Sequence, residues 1–192
     1  WISTAQVADK ILLLARTTPV EELSPDNKSG GLSLFYTDLD RSKVAIRKID
    51  KMGRHCVDSN ELFIDGMEIP VEDRVGEEGK GFKYILHGMN PERVLLASEA
   101  IGIGRIALKK AAAYARERVV FDRPIGQNQG IQHPLARNWV ELEAAQLLMM
   151  KAAWLYDHGK ECGAEANAAK YFAAEAGFRA SEQAILTHGG MG

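Results

Sequence analysis

NPERVLLASEAIGIGRIALKKAAAYARERVVF, Asn90 to Phe121, decides how the whole chain is read. It reads as one long helix. Asn90 suits the N-cap, where its side-chain oxygen can accept an orphan backbone N–H. Pro91 suits the first helical position, because its missing N–H would have no partner there anyway. Glu92 follows in the first turn, facing the positive end of the helix dipole. Val94, Ala97, Ile101, Leu108, Ala112 and Ala115 recur at three- and four-residue steps and predict one buried face. Arg116 and Arg118 close the stretch with the charge a helix C-terminus favours. A rod of roughly 40 Å at 1.5 Å per residue needs packing along its length, so it belongs in a bundle.

Two further helices follow. Ile131 to His158 carries an apolar stripe of Leu135, Val140, Leu142, Ala145, Met149, Ala152 and Leu155, with Pro134 in its first turn. Glu165 to His188 is rich in alanine and stops at Gly189-Gly190. Upstream, Phe82 to Gly88 predicts a short helix of its own. Earlier still the period changes. Ile11–Arg16, Gly31–Leu39, Val44–Asp50 and Glu61–Pro70 read as strands, the last with a turn at Asp65-Gly66, and Thr17–Gly31 reads as a surface loop. VGEEGKGF, Val75 to Phe82, marks the boundary. It lacks the Gly-Lys-Ser/Thr ending of a phosphate-binding loop and reads as a hinge. The expected class is α+β. An antiparallel β-sheet or barrel domain occupies residues 1–76, and an antiparallel α-helical bundle occupies 77–192.

Bulk properties narrow the function. The chain has 192 residues, 46% hydrophobic and 26% charged, with a formal net charge of -2, which is ordinary globular composition. Near-neutral charge argues against a nucleic-acid binder. No apolar run approaches the roughly 18 residues of a membrane span. Cys56 and Cys162 lack metal-ligand spacing and read as free thiols. No metal site is expected. The chain opens on Trp1 rather than Met, which leaves a removed leader open. Gly102-Ile103-Gly104 sits in mid-helix, where small residues permit close helix packing. Periodicity and spacing yield no activity.

Particular residue strings say more. They are WIS at Trp1–Ser3, DKMGRHCVDSNELFIDGMEIPVEDRVGEEGKGF from Asp50 to Phe82, NPER at Asn90–Arg93, ERVVFDRPIGQNQGIQHPLA from Glu117 to Ala136, and THGGMG at Thr187–Gly192. In this order and spacing the chain resembles the acyl-CoA dehydrogenase family. It is similar to the second half of the middle β domain plus most of the C-terminal helical domain.

The resemblance implies FAD held between the β domain and the helices. Trp1 would shield one side of the flavin. Ile2 would line it, and the Ser3 hydroxyl would hydrogen-bond near its reactive nitrogen. Arg118 matches an arginine that reaches the FAD pyrophosphate of a neighbouring subunit, with Val120 and Phe121 beside it. Asn128 and Gln129 match residues near the adenosine half. Gly189 and Gly190 match a glycine pair that lets the dinucleotide approach. The family commonly has Gln three residues before that pair, where this chain has Leu186. Asn90, Glu92 and Arg93 fall where members contact the acyl-CoA.

Most members supply the catalytic base from a glutamate nearer their C-terminus. A minority, including the isovaleryl- and long-chain-specific enzymes, place it one residue before the arginine of NPER. That position is Glu92, and the two sources remain rivals. The implied chemistry is α,β-dehydrogenation of an acyl-CoA thioester to the trans-2-enoyl-CoA. An electron-transferring flavoprotein would be the acceptor and a dimer or tetramer the assembly. The compartment would be the cytoplasm in a bacterium or the mitochondrial matrix in a eukaryote. An acyl-CoA oxidase or flavin monooxygenase of the same superfamily, or a non-catalytic helical module, stands as the alternative.

Overall fold

The computed structural model describes residues 1–27 and 29–192. Lys28, within the expected loop Thr17–Gly31, lies outside the described residues. The chain divides into two compact units, Trp1–His87 and Gly88–Gly192. The sequence reading draws its boundary earlier, after residue 76.

The first unit is built from short antiparallel strands: β1 (Ile2–Ser3), β2 (Lys10–Arg16), β3 (Leu32–Asp38), β4 (Val44–Ile49), β5 (Ser59–Ile64) and β6 (Arg74–Val75). They form two three-stranded sheets, ordered β1-β5-β4 and β2-β3-β6, and not a closed barrel. Ile11, Leu39 and Val44 are buried together, with Leu13, Ile46 and Leu62 packed on them, so β2, β4 and β5 share one small core. The last expected strand ends sooner than Pro70. At Gly66 the backbone turns left-handed (φ 64°), which ends the ladder at Ile64.

The glycine segment after β6 is a structural turn. Ser33 is fully buried, and its hydroxyl accepts the Gly79 N–H at 2.8 Å while pairing with the Thr17 hydroxyl at 2.8 Å. The Tyr84 hydroxyl accepts the Glu77 N–H at 3.1 Å. Donors that a phosphate cradle would aim outward are used within the fold.

A single helix, α1, runs from Gly81 to Glu117, 37 residues and roughly 55 Å. Two expectations change here. The short helix at Phe82–Gly88 and the long one are continuous, so Asn90 is not an N-cap and Pro91 lies inside the helix. Glu92 is therefore three turns from the N-terminus, and the dipole effect does not reach it. One proline removes one rung of the ladder, and packing beyond it carries the helix through: Val94 is buried against Ala152 and Ala166. The helix also stops at Glu117 rather than reaching Phe121. A two-stranded hairpin, β7 (Val119–Val120) and β8 (Arg123–Pro124), takes over.

The second unit completes the bundle with α2 (Gln129–Asp157) and α3 (Gly163–His188). Val94 packs with Ala152 while Arg105 pairs with Glu143, and Glu165 pairs with Lys151 while Arg179 pairs with Glu141, so α2 runs antiparallel to both other helices. The seam is lined by small residues. Ala97, Ala145, Ala169, Ala173, Ala176 and Ala180 are fully buried around Leu142. Gly104 and Gly177 bring α1 and α3 into contact. A Cβ on Gly104 would lie 3.1 Å from the Gly177 Cα, and one on Gly177 would lie 2.6 Å from the Ala100 carbonyl oxygen. Gly102, the other half of the expected packing motif, faces open space. The expected stripes slip in two places, by one residue where Ala111 is buried instead of Ala112, and by two where Asn138 is buried instead of Val140. Among the described residues no helix is long and apolar enough to cross a membrane, and no cluster of His, Cys, Asp or Glu could hold a metal. Cys56 is exposed and Cys162 buried, both as free thiols.

Candidate functional site

In the sheet unit, Trp1, Ile2 and Ser3 lie on an edge. Ile2 pairs with Asn60 and Ser3 with Ser59, and β1 has β5 on one side only. The Thr4 N–H donates to the Asp58 carbonyl at 3.0 Å. Antiparallel pairs alternate between bonded and non-bonded, so the Ser3 N–H and C=O face away from β5. The carbonyl accepts the Thr4 hydroxyl at 2.8 Å. That leaves the Ser3 N–H and hydroxyl as two outward donors beside Trp1, whose side chain is 94% exposed. The strand ends at once, because Thr4 is left-handed (φ 58°).

In the helical unit, NPER occupies a regular stretch of α1. Arg93 donates to the Asn90 side-chain oxygen at 3.0 Å, one turn back. Glu92 is exposed and makes no ion pair or hydrogen bond through its side chain among the described residues. Among the described residues the Glu92 carboxylate is thus unengaged, next to a guanidinium that Asn90 holds.

The remaining expected residues gather at the other end of the bundle. Past α1, the Arg118 N–H still bonds the Tyr114 carbonyl at 2.8 Å, and the Arg118 carbonyl accepts the Ile125 N–H at 2.9 Å. Between these bonds the hairpin turns through Phe121 (φ 54°) and Asp122 (φ 64°). Two left-handed residues make this a tight primed turn, which usually takes Asn-Gly or Asp-Gly. Phe121, bulky and strained there, is 93% exposed. The Arg118 guanidinium has no partner among the described residues.

Asn128 precedes α2 but does not cap it. Its oxygen accepts from Arg123 at 2.5 Å and its amide donates to the Ile125 carbonyl at 3.0 Å, so its side chain already holds the hairpin base. Gln129, the first residue of α2, is exposed with its side chain unengaged among the described residues. The Tyr114 and His188 rings stack at 4.4 Å, which brings the end of α3 to the end of α1. Gly189 is left-handed (φ 59°) and terminates α3, and a Cβ on Gly189 or Gly190 would meet nothing within 4 Å. Leu186 is exposed. The structure thus brings Arg118, Phe121, Gln129 and the glycine pair to one end of the bundle. It places Glu92 and Arg93 elsewhere, roughly 38 Å along α1 from Glu117.

Residues 79–192 match the profile of the acyl-CoA dehydrogenase C-terminal domain. The chain is 46% identical over its full length to acyl-CoA dehydrogenase fadE12 of Mycobacterium bovis, covering 49% of that protein. The chain belongs to the acyl-CoA dehydrogenase family. That family consists of flavin-dependent oxidoreductases. Among solved structures, butyryl-CoA dehydrogenase from Megasphaera elsdenii superposes with a TM-score of 0.88 at 31% identity, over 98% of this chain and 48% of that one. A glutaryl-CoA dehydrogenase in complex with glutaryl-CoA gives 0.88 at 32%, over 98% and 47%. The chain spans about half the length of the curated relatives it matches.

Each unit by itself offers groups that suit part of a flavin dinucleotide. Outward main-chain and hydroxyl donors sit beside an exposed indole at Trp1–Ser3. A guanidinium at Arg118 with no partner among the described residues, and a bare glycine pair of which Gly189 is left-handed, suit phosphate oxygens and close backbone approach. Sequence reasoning missed Asn60 and Arg41, which hold β1 and the turn after it, and the Phe121-Asp122 turn. The first two are ordinary polar residues whose roles depend on contacts distant in sequence. The turn lacks the glycine that would have announced it.

Proposed function

We propose that the protein containing this chain is an FAD-dependent acyl-CoA dehydrogenase in which Glu92 is the catalytic base. The reaction would remove one hydrogen from each of the α- and β-carbons of an acyl-CoA thioester and leave the trans-2-enoyl-CoA. The observation that carries this reading is the Glu92 carboxylate, exposed and unpaired among the described residues, next to an Arg93 that Asn90 orients. Family membership supplies the chemistry in which such a carboxylate has work to do.

Bound FAD would supply a hydride acceptor for the β-carbon. The chain's residues would do the rest. The Glu92 carboxylate takes the α-proton and becomes the neutral acid. Substrate covering it excludes water and strengthens it as a base. Arg93 positions the acyl-CoA. The Ser3 N–H and hydroxyl donate toward the flavin edge, where negative charge arrives with the hydride. Trp1 covers the ring. At the far end of α1, Arg118 offers a planar fork to pyrophosphate oxygens, Val120 and Phe121 flank it, and Gln129 reaches the adenosine half. Gly189 and Gly190 let the dinucleotide come close.

The distance along α1 supports a homo-oligomer. Roughly 38 Å separates the base from the phosphate-binding end, more than one extended dinucleotide covers. The two ends then serve different FAD molecules, one of them belonging to a neighbouring subunit. An electron-transferring flavoprotein is the proposed acceptor.

The test is Glu92→Gln in the full-length enzyme, mixed anaerobically with acyl-CoA. The flavin absorbance should bleach in the wild type and persist in the variant, with FAD still bound. Wild-type bleaching rates in Glu92→Gln would assign the base to another residue.

A further inference from the structure

We infer that Asn60 and Arg41 are positioning residues that fix the outward donors of Ser3. This rests on the flavin reading of β1. The segment from Ile2 to Ala8 is short, exposed at Ile2–Thr4 and buried at Ala5, and its conformation is imposed from outside. Thr4 is β-branched and left-handed (φ 58°), a state that persists only where surroundings over-determine it.

The surroundings are specific. Asn60 is fully buried, among the largest side chains in the chain to be so, and its amide donates to the Ile2 carbonyl at 3.1 Å. Arg41 reaches from the loop before β4 and donates to the carbonyls of Ala5 at 3.2 Å and Ala8 at 2.8 Å. One anchor lies before Thr4 and the other after it.

Asn60 also carries an unusual feature. Its side-chain oxygen is buried without a hydrogen-bond partner among the described residues. A half-satisfied amide in a core is worse for stability than an apolar side chain of the same size. Its remaining contribution is the hold on the Ile2 carbonyl. That hold acts on the strand whose next residue turns its N–H outward. Neither Asn60 nor Arg41 presents its bonded group to the flavin edge. Both act through the Ile2–Ala8 backbone.

The experiment uses the full-length holoenzyme with three variants. Asn60→Leu keeps volume and removes the donor. Asn60→Asp keeps shape, but an ionised carboxylate cannot donate. Arg41→Met alters an exposed residue. Hydrogen exchange of the Ile2 and Thr4 amides, read on apoprotein, should quicken about tenfold or more in each variant, the loss expected for one hydrogen bond. In holoenzyme the flavin midpoint potential should shift and kcat fall about tenfold, with KM for acyl-CoA changed less than about twofold. Unchanged exchange and unchanged potential in Asn60→Leu would overturn the inference. If Asn60→Leu does not fold, the same two readouts on Arg41→Met and Asn60→Asp decide it. A wild-type protein that binds no flavin would overturn the functional reading, and the exchange result on apoprotein would still judge the clamp.

Discussion

The two ends of the working stretch of α1 differ in kind. Around Asn90–Arg93 the backbone is plain helix, and what matters is which side chains it displays. Around Arg118–Gln129 the backbone itself is irregular: a helix end, a hairpin turning through two left-handed residues, and a helix start whose cap residue is occupied elsewhere. Proton transfer needs one well-placed carboxylate, and a regular helix positions a side chain well. Phosphate recognition needs several donors and close backbone approach, which regular structure cannot offer because its N–H groups are already bonded. The comparison teaches that the chemistry end rests on residue identity and the binding end on backbone shape.

Substitutions at the two ends should therefore fail differently. The largest effect belongs to Glu92→Gln. Loss of a general base lowers the rate of flavin reduction by roughly 10²–10⁴-fold, with FAD retained and no change in melting temperature, since Glu92 is exposed and unpaired. A variant that loses FAD instead would erase the distinction. Next comes Arg118→Met. Removing charge-assisted bonds to phosphate should weaken FAD binding by roughly 10- to 100-fold, while enzyme saturated with FAD reduces at a near-normal rate. A slow rate at saturation would make Arg118 part of the chemistry. The smallest effects concern the rod between the ends. Gly177→Ala puts a Cβ 2.6 Å from the Ala100 carbonyl oxygen and should destabilise by about 1–3 kcal/mol. Gly102→Ala meets nothing within 4 Å and should stabilise by about 0.5–1 kcal/mol. Opposite shifts in chemical denaturation would show that α1 is held in register through Gly104 and Gly177.

How much of this was readable beforehand follows from the same contrast. Strand and helix periods depend on local alternation, so the order of strands followed by three helices was legible. That α3 is rich in alanine and stops at Gly189 was legible too, whereas its buried stripe from Ala166 to Ala184 came from the structure. The start of α1 was not. Asn90-Pro91-Glu92 carries every local mark of an N-terminus, but helix packing before and after it outweighs one missing N–H. The end of α1 was missed because Phe121-Asp122 adopts a turn its residue types disfavour, a conformation imposed by the bonds at Arg118 and Ile125. The expected site residues came from family resemblance, and structure then sorted them. Arg118, Gln129 and the glycine pair are available, whereas the side chain of Asn128 already binds Arg123 and the Ile125 carbonyl. Asn60 and Arg41 had no sequence signature, since each acts through a backbone carbonyl far along the chain.

The claim that the two ends of α1 serve different cofactor molecules can be tested by mixing. Subunits of full-length Glu92→Gln and Arg118→Glu would be co-expressed with separate tags, and the mixed oligomers isolated. Activity would be measured at an FAD concentration that leaves the Arg118→Glu parent largely unloaded. If each site takes its base from one subunit and its phosphate contact from another, mixing restores an intact site. Mixed oligomers should then reach a substantial fraction of wild-type activity, about half for a two-site dimer. Mixed oligomers no more active than their two inactive parents would contradict the account.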